Sequence, residues 1–558
     1  MSPEISEHRR RRLLDRERKP QADRPPFRSS GWLTAIYRSL FFLLSASLLA
    51  FAEKGTAPSD PSRCLVIFIS VGFCLVIFHG AMRSLYKPTA HRNTHICLLH
   101  TTVLLSLLLG FGLCHATAPL AGHSTIVRAY QTSLPFALPH FLAPTLLTLL
   151  LGPVAGTIGG IGQCLVLTLL LGLRISSDGN AAMVRAALLS CFAVGFLCAT
   201  FVPQLLSRPG SIRRRSRIVL AAAKTTLPVL GIAAAVLATQ YATGTLPYPD
   251  GVLWPAACPF ALLLVSFLLQ AVLVALLLPV LEHVFAQTSD ITLQNFADLA
   301  NPLLERLSLE APGTYNHSIM VATLAAAACE KVGANPLLAR VGAYYHDIGK
   351  LAKPSFFTEN IQAGKNPHET LSPGTSAALI RSHVKDGIIL AERYHLPLPV
   401  RQIIEEHHGT TVMAYFLNKA KAAALDEAEK NGDRTPAEVP EGTFRYPGPR
   451  PSSRESGILL LADSVEAATR SLEHATPSAI DSKVAEIINS KLLDGQFDDC
   501  PLTLGDIAEI RKTFTTSLLS ILHKRIAYPD VDELREKPAA GEETPPDTLS
   551  TPPARSAP

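Results

Sequence analysis

VGAYYHDIGK, residues 341–350, places an adjacent histidine and aspartate at the end of a small, apolar helical stretch. The first five of these residues form a helix face that we expect to be buried. Two polar side chains in succession, His346 and Asp347, then need partners inside the protein. Lys350 follows one turn later on the same surface, where a cation can meet a phosphate. In a chain with 18 histidines an HD pair alone means little, so its interpretation depends on the surrounding sequence.

Further histidines and an aspartate recur between residues 316 and 470, each within or beside an apolar helical pattern. They lie in NHS (316–318), SHVKDG (382–387), HHGTT (407–411) and ADSVEAATR (462–470). Imidazole and carboxylate groups are common ligands of divalent metals. The candidate ligands are His317, His346, Asp347, His383, His407, His408 and Asp463. Any one of them alone is better explained as a structural residue, but seven together are enough for two metal ions.

The soluble part of the chain shows helical spacing almost throughout and very little strand-like alternation, which predicts an all-α bundle over 311–529. The predicted helices cover 315–332, 335–351, 371–396, 398–408, 412–430, 455–471, 476–493 and 504–526. Residues 287–310 are predicted to form a connector helix, either a signal-carrying element or a spacer, with a break at Asn301-Pro302. The segment 430–456 is predicted to be a long loop. The tail 530–558, rich in Pro, Glu and Thr, is expected to be disordered.

Residues 32–286 are much more apolar than the rest, and the mean hydropathy of +0.24 is too high for an ordinary soluble enzyme. A bilayer core needs about 20 apolar residues per helix. Eight spans are predicted, at 32–52, 64–82, 96–118, 134–152, 154–173, 186–206, 218–241 and 254–286. No series of acids or histidines crosses these spans, which argues against a proton-coupled transporter. The cysteines form no CxxC pair and indicate neither a disulfide framework nor a zinc finger.

Loop charge predicts the orientation of these spans, because Lys and Arg favour the cytoplasmic side. The arm 1–31 and the loops 83–95 and 207–217 are rich in arginine. The stretch 134–173 is either one span with a re-entrant piece or two spans. Two spans place every arginine-rich segment, and the soluble domain, in the cytoplasm. A signal-peptidase pattern at residues 50–52 leaves cleavage of the first span open.

Longer motifs surround the candidate ligands. They are APGTYNHS (311–318), NPHETLSP (366–373), FRYPGPRP (444–451), LADSVEAATRSL (461–472), DGQFDDCPLT (494–503) and RIAYPD (525–530). Together with HDIGK they resemble the seven-transmembrane receptors with an intracellular HD hydrolase, a group within the all-α HD superfamily that includes bacterial cyclic di-AMP phosphodiesterases. The resemblance covers roughly residues 64–529. Relatives often have a second histidine where this chain has Asn316, and a large extracytoplasmic domain where it has only the short loop 53–63.

The resemblance also implies roles for individual residues. His317, His346, Asp347 and Asp463 would hold one metal, and Asp347 would bridge to a second metal held by His383, His407 and His408. Asp347 and Lys350 would be catalytic. Lys350 and Arg470 would face phosphate, and Thr375 and Ser376 lie in the substrate-side segment. The ligand types suit iron or manganese and leave zinc open, so two divalent ions are the expected cofactors.

These inferences predict a multi-pass plasma-membrane protein with a cytoplasmic two-metal phosphodiesterase domain. Its expected reaction is hydrolysis of cyclic di-AMP to linear 5'-pApA, and the base preference rests wholly on the resemblance. The expected partners are a cyclic dinucleotide and the lipid bilayer, without a nucleic-acid polymer, and a homodimer stays open. Two alternatives remain: an HD hydrolase of cyclic di-GMP or a guanosine alarmone, and a membrane receptor that binds nucleotide without turnover.

Overall fold

The computed structural model describes residues 31–51, 65–73, 76, 80, 92–116, 133–175, 181–207, 216–242, 253–361, 366–431, 437–470, 472 and 476–523. Nearly all of the predicted basic arm, the loop 53–63, residues 83–91 of the loop 83–95, most of the loop 207–217 and the predicted disordered tail lie outside the described residues. Residues 92–95 belong to a helix. Within the described ranges the chain is all-α, apart from an isolated bridge between Val412 and Arg445. The predicted fold class is therefore confirmed.

The membrane region contains six described helical segments that are long and apolar enough to cross a bilayer, so the chain is a membrane protein. Seven helices of this region have described bounds: α1 (Gly31–Phe51), α2 (Arg92–Ala116), α3 (Leu142–Leu151), α4 (Pro153–Ile175), α5 (Ala181–Leu206), α6 (Ser216–Ala242) and α7 (Leu253–Phe285). The six long apolar segments lie within α2 to α7 and in the residues just before α3. The first predicted span forms α1, whose apolar stretch is shorter, at Ala35–Ser47. The second lies partly outside the described residues, so the predicted number of eight spans stays a prediction.

The stretch 134–173, which the sequence left ambiguous, holds two long apolar segments, Ser133–Leu151 and Pro153–Leu173. Gly152 separates them with a φ of +92°, a backbone conformation that favours glycine. A second break precedes α3, at residues 138–141, and glutamine side chains satisfy the backbone there. Gln270 of α7 accepts a hydrogen bond from the Phe141 N–H (2.8 Å), and Gln163 of α4 accepts one from the Ala143 N–H (3.1 Å).

The predicted connector helix consists of two short helices, α8 (Asp290–Phe296) and α9 (Pro302–Glu310). Asn301 caps α9 and Pro302 begins it, which explains the break. At the end of α7, Glu282 accepts hydrogen bonds from the Ser289 N–H (2.7 Å) and the Thr292 hydroxyl (2.9 Å). The carboxylate of a membrane helix thus holds the start of α8.

Among the described residues, eight further helices form the soluble domain, and their buried apolar side chains pack in three clusters. They are α10 (Pro312–Val332), α11 (Pro336–Tyr345), α12 (Pro373–Arg393), α13 (Leu398–Glu406), α14 (Ala414–Asn431), α15 (Arg454–Arg470), α16 (Pro477–Leu493) and α17 (Leu504–His523). Helices α10, α11 and α15 pack side by side through Ala325, Ala343 and Leu461, among others. This packing brings the middle of α15 against the start of α10.

The HD pair does not lie within a helix of residues 335–351, as the sequence predicted. Helix α11 ends at Tyr345, and a 3₁₀ turn covers Ile348–Ala352. The turn lies so close to α12 that a Cβ on Gly349 would be 1.8 Å from the carbonyl oxygen of His383. The end of the helix therefore places His346 and Asp347 beside α12.

Candidate metal centre

The structure brings all seven predicted ligands together in the soluble domain. Within each of two groups, ligand atoms of every member lie within 4.8 Å of one another. The first group is His317, His346 and Asp463, and the second is Asp347, His383, His407 and His408. The ligands come from α10, the end of α11, α12, the end of α13 and α15, so the site exists only when these helices are packed.

Asp347 lies between the two groups and directs one carboxylate oxygen to each. Its Oδ2 is 3.2 Å from Nε2 of His346 and 3.7 Å from Nε2 of His317. Its Oδ1 is 3.4 Å from Nε2 of His383 and 3.8 Å from Nε2 of His407. A carboxylate in this position can contribute one ligand atom to each of two neighbouring cations.

Two buried atoms at the centre have no hydrogen-bond partner among the described residues: Nε2 of His346 and Oδ1 of Asp347. Buried polar atoms are normally paired, because desolvation without a partner costs free energy. Both atoms point at the other candidate ligands. The donor set of imidazole nitrogens and carboxylate oxygens therefore fits two divalent metal ions.

Backbone carbonyls orient three of the histidine rings. The Nδ1 atoms of His346, His383 and His407 lie 2.8, 2.5 and 2.7 Å from the carbonyl oxygens of Ala343, Ile380 and Ile404, three residues earlier in each case. If Nδ1 donates its proton to the carbonyl, Nε2 keeps a free lone pair for a metal. The local helical backbone thus selects the tautomer that binds.

The two groups differ in the charge of their imidazoles. Burial lowers the pKa of His407 to about 3 and lowers that of His383, so both rings are neutral at physiological pH. Burial also acts against the charged form of His346, but the nearby Asp347 and Asp463 outweigh it and raise its pKa to about 10. Before metal binds, the first group therefore carries a proton that the second does not.

Lys350 contacts Asp347 directly. Its Nζ lies 2.8 Å from Oδ2 of Asp347 and 2.6 Å from Oε1 of Glu359. It also lies over the ring of Phe357, 5.0 Å from the centroid. The two carboxylates fix the position of the ammonium at the edge of the site. Sequence reasoning found Lys350 but missed Glu359, whose position in a segment of short turns gave no pattern to follow.

Comparison with known proteins identifies the domain. Residues 314–468, a range that includes all seven candidate ligands, match the family model described as HD domain. The soluble part of this chain contains an HD domain. The predicted resemblance is thereby confirmed.

Relatives of this HD domain include two named cyclic-di-AMP phosphodiesterase PgpH. The chain is 45% identical over 266 residues to that of Bacillus subtilis (strain 168), which covers 48% of this chain and 36% of the relative. It is 44% identical over 253 residues to that of Listeria monocytogenes serotype 1/2a (strain 10403S), which covers 45% and 34%. The chain thus spans about a third of the length of the curated relatives it matches.

A solved structure is also similar to the HD domain. It is the crystal structure of the L. monocytogenes phosphodiesterase PgpH HD domain in complex with cyclic-di-AMP, 44% identical, with a TM-score of 0.37. The similarity covers 40% of this chain and 99% of that chain.

The other predicted substrate contacts of the HD domain are Arg470, Thr375 and Ser376. Arg470 is half exposed and its guanidinium binds the carboxylate of Glu466. Thr375 lies exposed at the start of α12, where its hydroxyl is 2.8 Å from that of Ser372. Ser376 is buried, and its hydroxyl has no hydrogen-bond partner among the described residues. The substrate-binding roles of these three residues stay predictions.

Two further residues at the HD site escaped the sequence reasoning. Glu466 contacts the ring of His317, with 2.6 Å between Oε2 and Nδ1. Its spacing of three residues from Asp463 puts both carboxylates on one helix face, a signal that was available. Tyr446, within the FRYPGPRP motif, stacks on His408 with ring centroids 4.1 Å apart. Stacking across a long loop leaves no periodic trace in the sequence.

Proposed function

We propose that this chain is a membrane-anchored phosphodiesterase that hydrolyses cyclic di-AMP to linear 5'-pApA. The observation that carries the proposal is Asp347, which joins two groups of buried metal ligands within a single HD domain. The relatives named as cyclic-di-AMP phosphodiesterases supply the substrate class. The arginine-rich segments favour a cytoplasmic HD domain, where a nucleotide signal would be encountered.

The seven ligands would hold two divalent ions, with iron or manganese favoured by the ligand types. When bound, such ions would supply an activated water and positive charge beside the phosphoryl oxygens. Asp347 contributes an ionised carboxylate to this centre. Burial alone would raise the pKa of Asp347, but the charges of His346 and Lys350 hold it well below its usual range.

Lys350 supplies the positive charge nearest to Asp347. Because Asp347 and Glu359 hold its ammonium in place, little reorganisation is needed when charge develops on the phosphoryl group. Hydrolysis consumes one water: its oxygen bonds to phosphorus, the bond from phosphorus to the ribose 3' oxygen breaks, and this oxygen takes a proton. The product is a linear dinucleotide with a 3' hydroxyl and a 5' phosphate.

The substrate has one evident direction of approach. Among the seven candidate ligands, the side chains of His408 and Asp463 are the most exposed, at 20% and 11%, whereas those of His346 and His407 are fully buried. The Tyr446 ring lies against His408 on this open side. We propose that the scissile phosphate enters between these residues.

The test is hydrolysis by the purified full-length chain, loaded anaerobically with iron or with manganese. Cyclic di-AMP, cyclic di-GMP and a guanosine alarmone are offered side by side, with Asp347→Ala as the control. We expect metal-dependent formation of linear 5'-pApA by the wild type and none by the variant. Turnover of another substrate alone would overturn the assigned specificity. Nucleotide binding without turnover, at full metal occupancy, would favour a receptor.

A further inference from the structure

His317 is oriented differently from the other buried histidines of the centre. The Nδ1 atoms of His346, His383 and His407 face backbone carbonyls of their own helical turns. The Nδ1 of His317 instead faces a carboxylate oxygen of Glu466, on a different helix, at 2.6 Å. Its Nε2 points to Oδ1 of Asp463 at 2.9 Å. The orientation of this ring therefore depends on a side chain 149 residues away.

Burial and two side-chain contacts hold Glu466 in this position. Its side chain is 5% exposed and lies on α15 one turn after Asp463. One oxygen faces His317, and the other binds the guanidinium of Arg470, one turn further along the helix. Both carboxylate oxygens are thus occupied, and neither contacts a candidate metal position.

We infer that Glu466 is a positioning residue for the metal centre. It accepts the Nδ1–H of His317, which leaves the Nε2 lone pair directed at the first ligand group. A carboxylate partner also makes the imidazole a stronger metal ligand than a carbonyl partner does. Arg470 donates a hydrogen bond to the other carboxylate oxygen of Glu466 and so holds this side chain in place. The inference rests on the two-metal part of the proposed function, but not on the identity of the substrate.

This arrangement has a specific chemical consequence. Glutamate offers two acceptor oxygens, one for His317 and one for Arg470, whereas glutamine offers one acceptor and one donor. In Glu466→Gln, the two partners compete for a single oxygen. Replacing Arg470 by leucine removes the competitor, so the amide oxygen becomes available to His317. Leucine at position 466 provides no acceptor at all.

The experiment measures Mn²⁺ binding, without nucleotide, to the metal-free full-length chain in detergent micelles, with free Mn²⁺ followed by electron paramagnetic resonance. We expect two ions per wild-type chain. In Glu466→Leu, one of the two should bind about 10- to 100-fold more weakly, the usual effect of losing such a partner. Glu466→Gln should be intermediate, and Glu466→Gln with Arg470→Leu should recover affinity toward the wild type.

The matched control is Glu455→Leu, which removes a carboxylate from the first turn of the same helix, where it accepts a hydrogen bond from the Asn335 N–H. This variant should keep both Mn²⁺ affinities. Thermal unfolding of each variant separates weakened metal binding from loss of fold, and the double variant provides a test even if Glu466→Leu unfolds.

Two results would overturn the inference. One is wild-type affinity for both ions in Glu466→Leu, and the other is weaker binding by the double variant than by Glu466→Gln. If the wild type bound no Mn²⁺, both the proposed two-metal site and this inference would be wrong. If the wild type bound two ions but cleaved no cyclic di-AMP, only the assigned reaction would fall.

Discussion

Proton occupancy distinguishes the two halves of the metal centre at the level of single residues. Burial acts against the charged form of His346, but the nearby carboxylates of Asp347 and Asp463 raise its pKa to about 10, so its ring carries a proton at neutral pH in the metal-free protein. His407 has a pKa lowered to about 3 by burial and by the neighbouring His346 charge, so its ring is neutral. A metal must displace a proton from the first ring but not from the second.

This difference predicts the pH dependence of metal binding. Below the raised pKa of His346, a proton on this ring competes with the metal. The carboxylates of Asp463 and Glu466 also raise the pKa of His317, so affinity for the first ion should rise at least about tenfold per pH unit. Affinity for the second ion, bound through His383, His407 and His408, should change much less. Mn²⁺ titrations of the metal-free chain between about pH 6 and 8 measure both slopes. Equal slopes, or none, would contradict the assignment of the proton to the first group.

The candidate ligands could be predicted from sequence because each is a polar residue within or beside an apolar helical pattern. The carboxylates that contact Lys350 and His317 could not be predicted in the same way. Glu359 meets Lys350, and Glu466 meets His317, only after separate segments have packed together. The contact of Arg470 with Glu466 is different, because the two residues are four apart within one predicted helix and their pairing was within reach of the sequence.

The contact of the 348–352 turn with α12 sets the distance between Asp347 and His383. Gly349 allows this approach, because a Cβ there would lie 1.8 Å from the His383 carbonyl oxygen and 2.5 Å from the Gly387 nitrogen. Both are backbone atoms, which cannot move aside as a flexible side chain could. The absence of a side chain at residue 349 is thus a requirement of the site.

Gly349→Ala should therefore separate α12 from Asp347. We expect a loss of about 3 kcal/mol in the free energy of unfolding, as for other overpacked cores, together with weaker binding of the second ion. Thermal unfolding and Mn²⁺ titration measure the two effects. Gly442→Ala is the control, since a Cβ there meets nothing within 4 Å. Equal stability of the two variants would refute this role for Gly349.

The helix break before α3, at residues 138–141, leads to a separate prediction. Gln270→Leu removes the partner of the Phe141 N–H, and the resulting unpaired donor should cost about 1–3 kcal/mol. The midpoint of thermal unfolding in detergent should fall accordingly. Gln204→Leu, at an exposed position of α5, makes the same chemical change without burying an unpaired group. A similar midpoint for both variants would show that the hydrogen bond between Gln270 and the Phe141 N–H does not stabilise the fold.

Helix positions in the soluble domain followed from apolar spacing, and most predicted ends agree with the structure within a few residues. The main error concerned 335–351, where the helix ends at Tyr345 instead of continuing through the HD pair. Apolar periodicity continues through Ile348 and Leu351, so the pattern alone could not show the change to a 3₁₀ turn. Close packing of Gly349 on α12 decides the local backbone.

At the scale of the whole molecule, α8 joins the membrane helices to the metal centre. Ile291 packs within the apolar core of the membrane region, whereas Leu293, two residues later, packs within the HD domain. At the end of the same helix, the carbonyl oxygen of Phe296 accepts a hydrogen bond from the Tyr345 hydroxyl (3.0 Å), next to His346. A continuous series of contacts therefore runs from α7 to the HD pair.

The outer faces of the membrane helices are consistent with contact with lipid. On α7, Leu264, Val265, Leu268 and Leu269 are exposed, whereas Leu263, Phe267 and Ala271 are buried. This division was not visible in the sequence, because α7 is apolar on all sides. Span positions can be predicted from hydropathy, but the packed face of each span depends on its neighbours.

The central claim is that two metal ions joined by Asp347 act together on one phosphodiester. It is tested most directly by measuring turnover of cyclic di-AMP by the metal-free full-length chain as Mn²⁺ is added from zero to three equivalents, with bound metal counted in parallel. We predict little activity at one equivalent, a steep rise as the second ion binds, and no further gain at the third. Full activity with one bound ion, or no hydrolysis with two ions bound, would contradict the account.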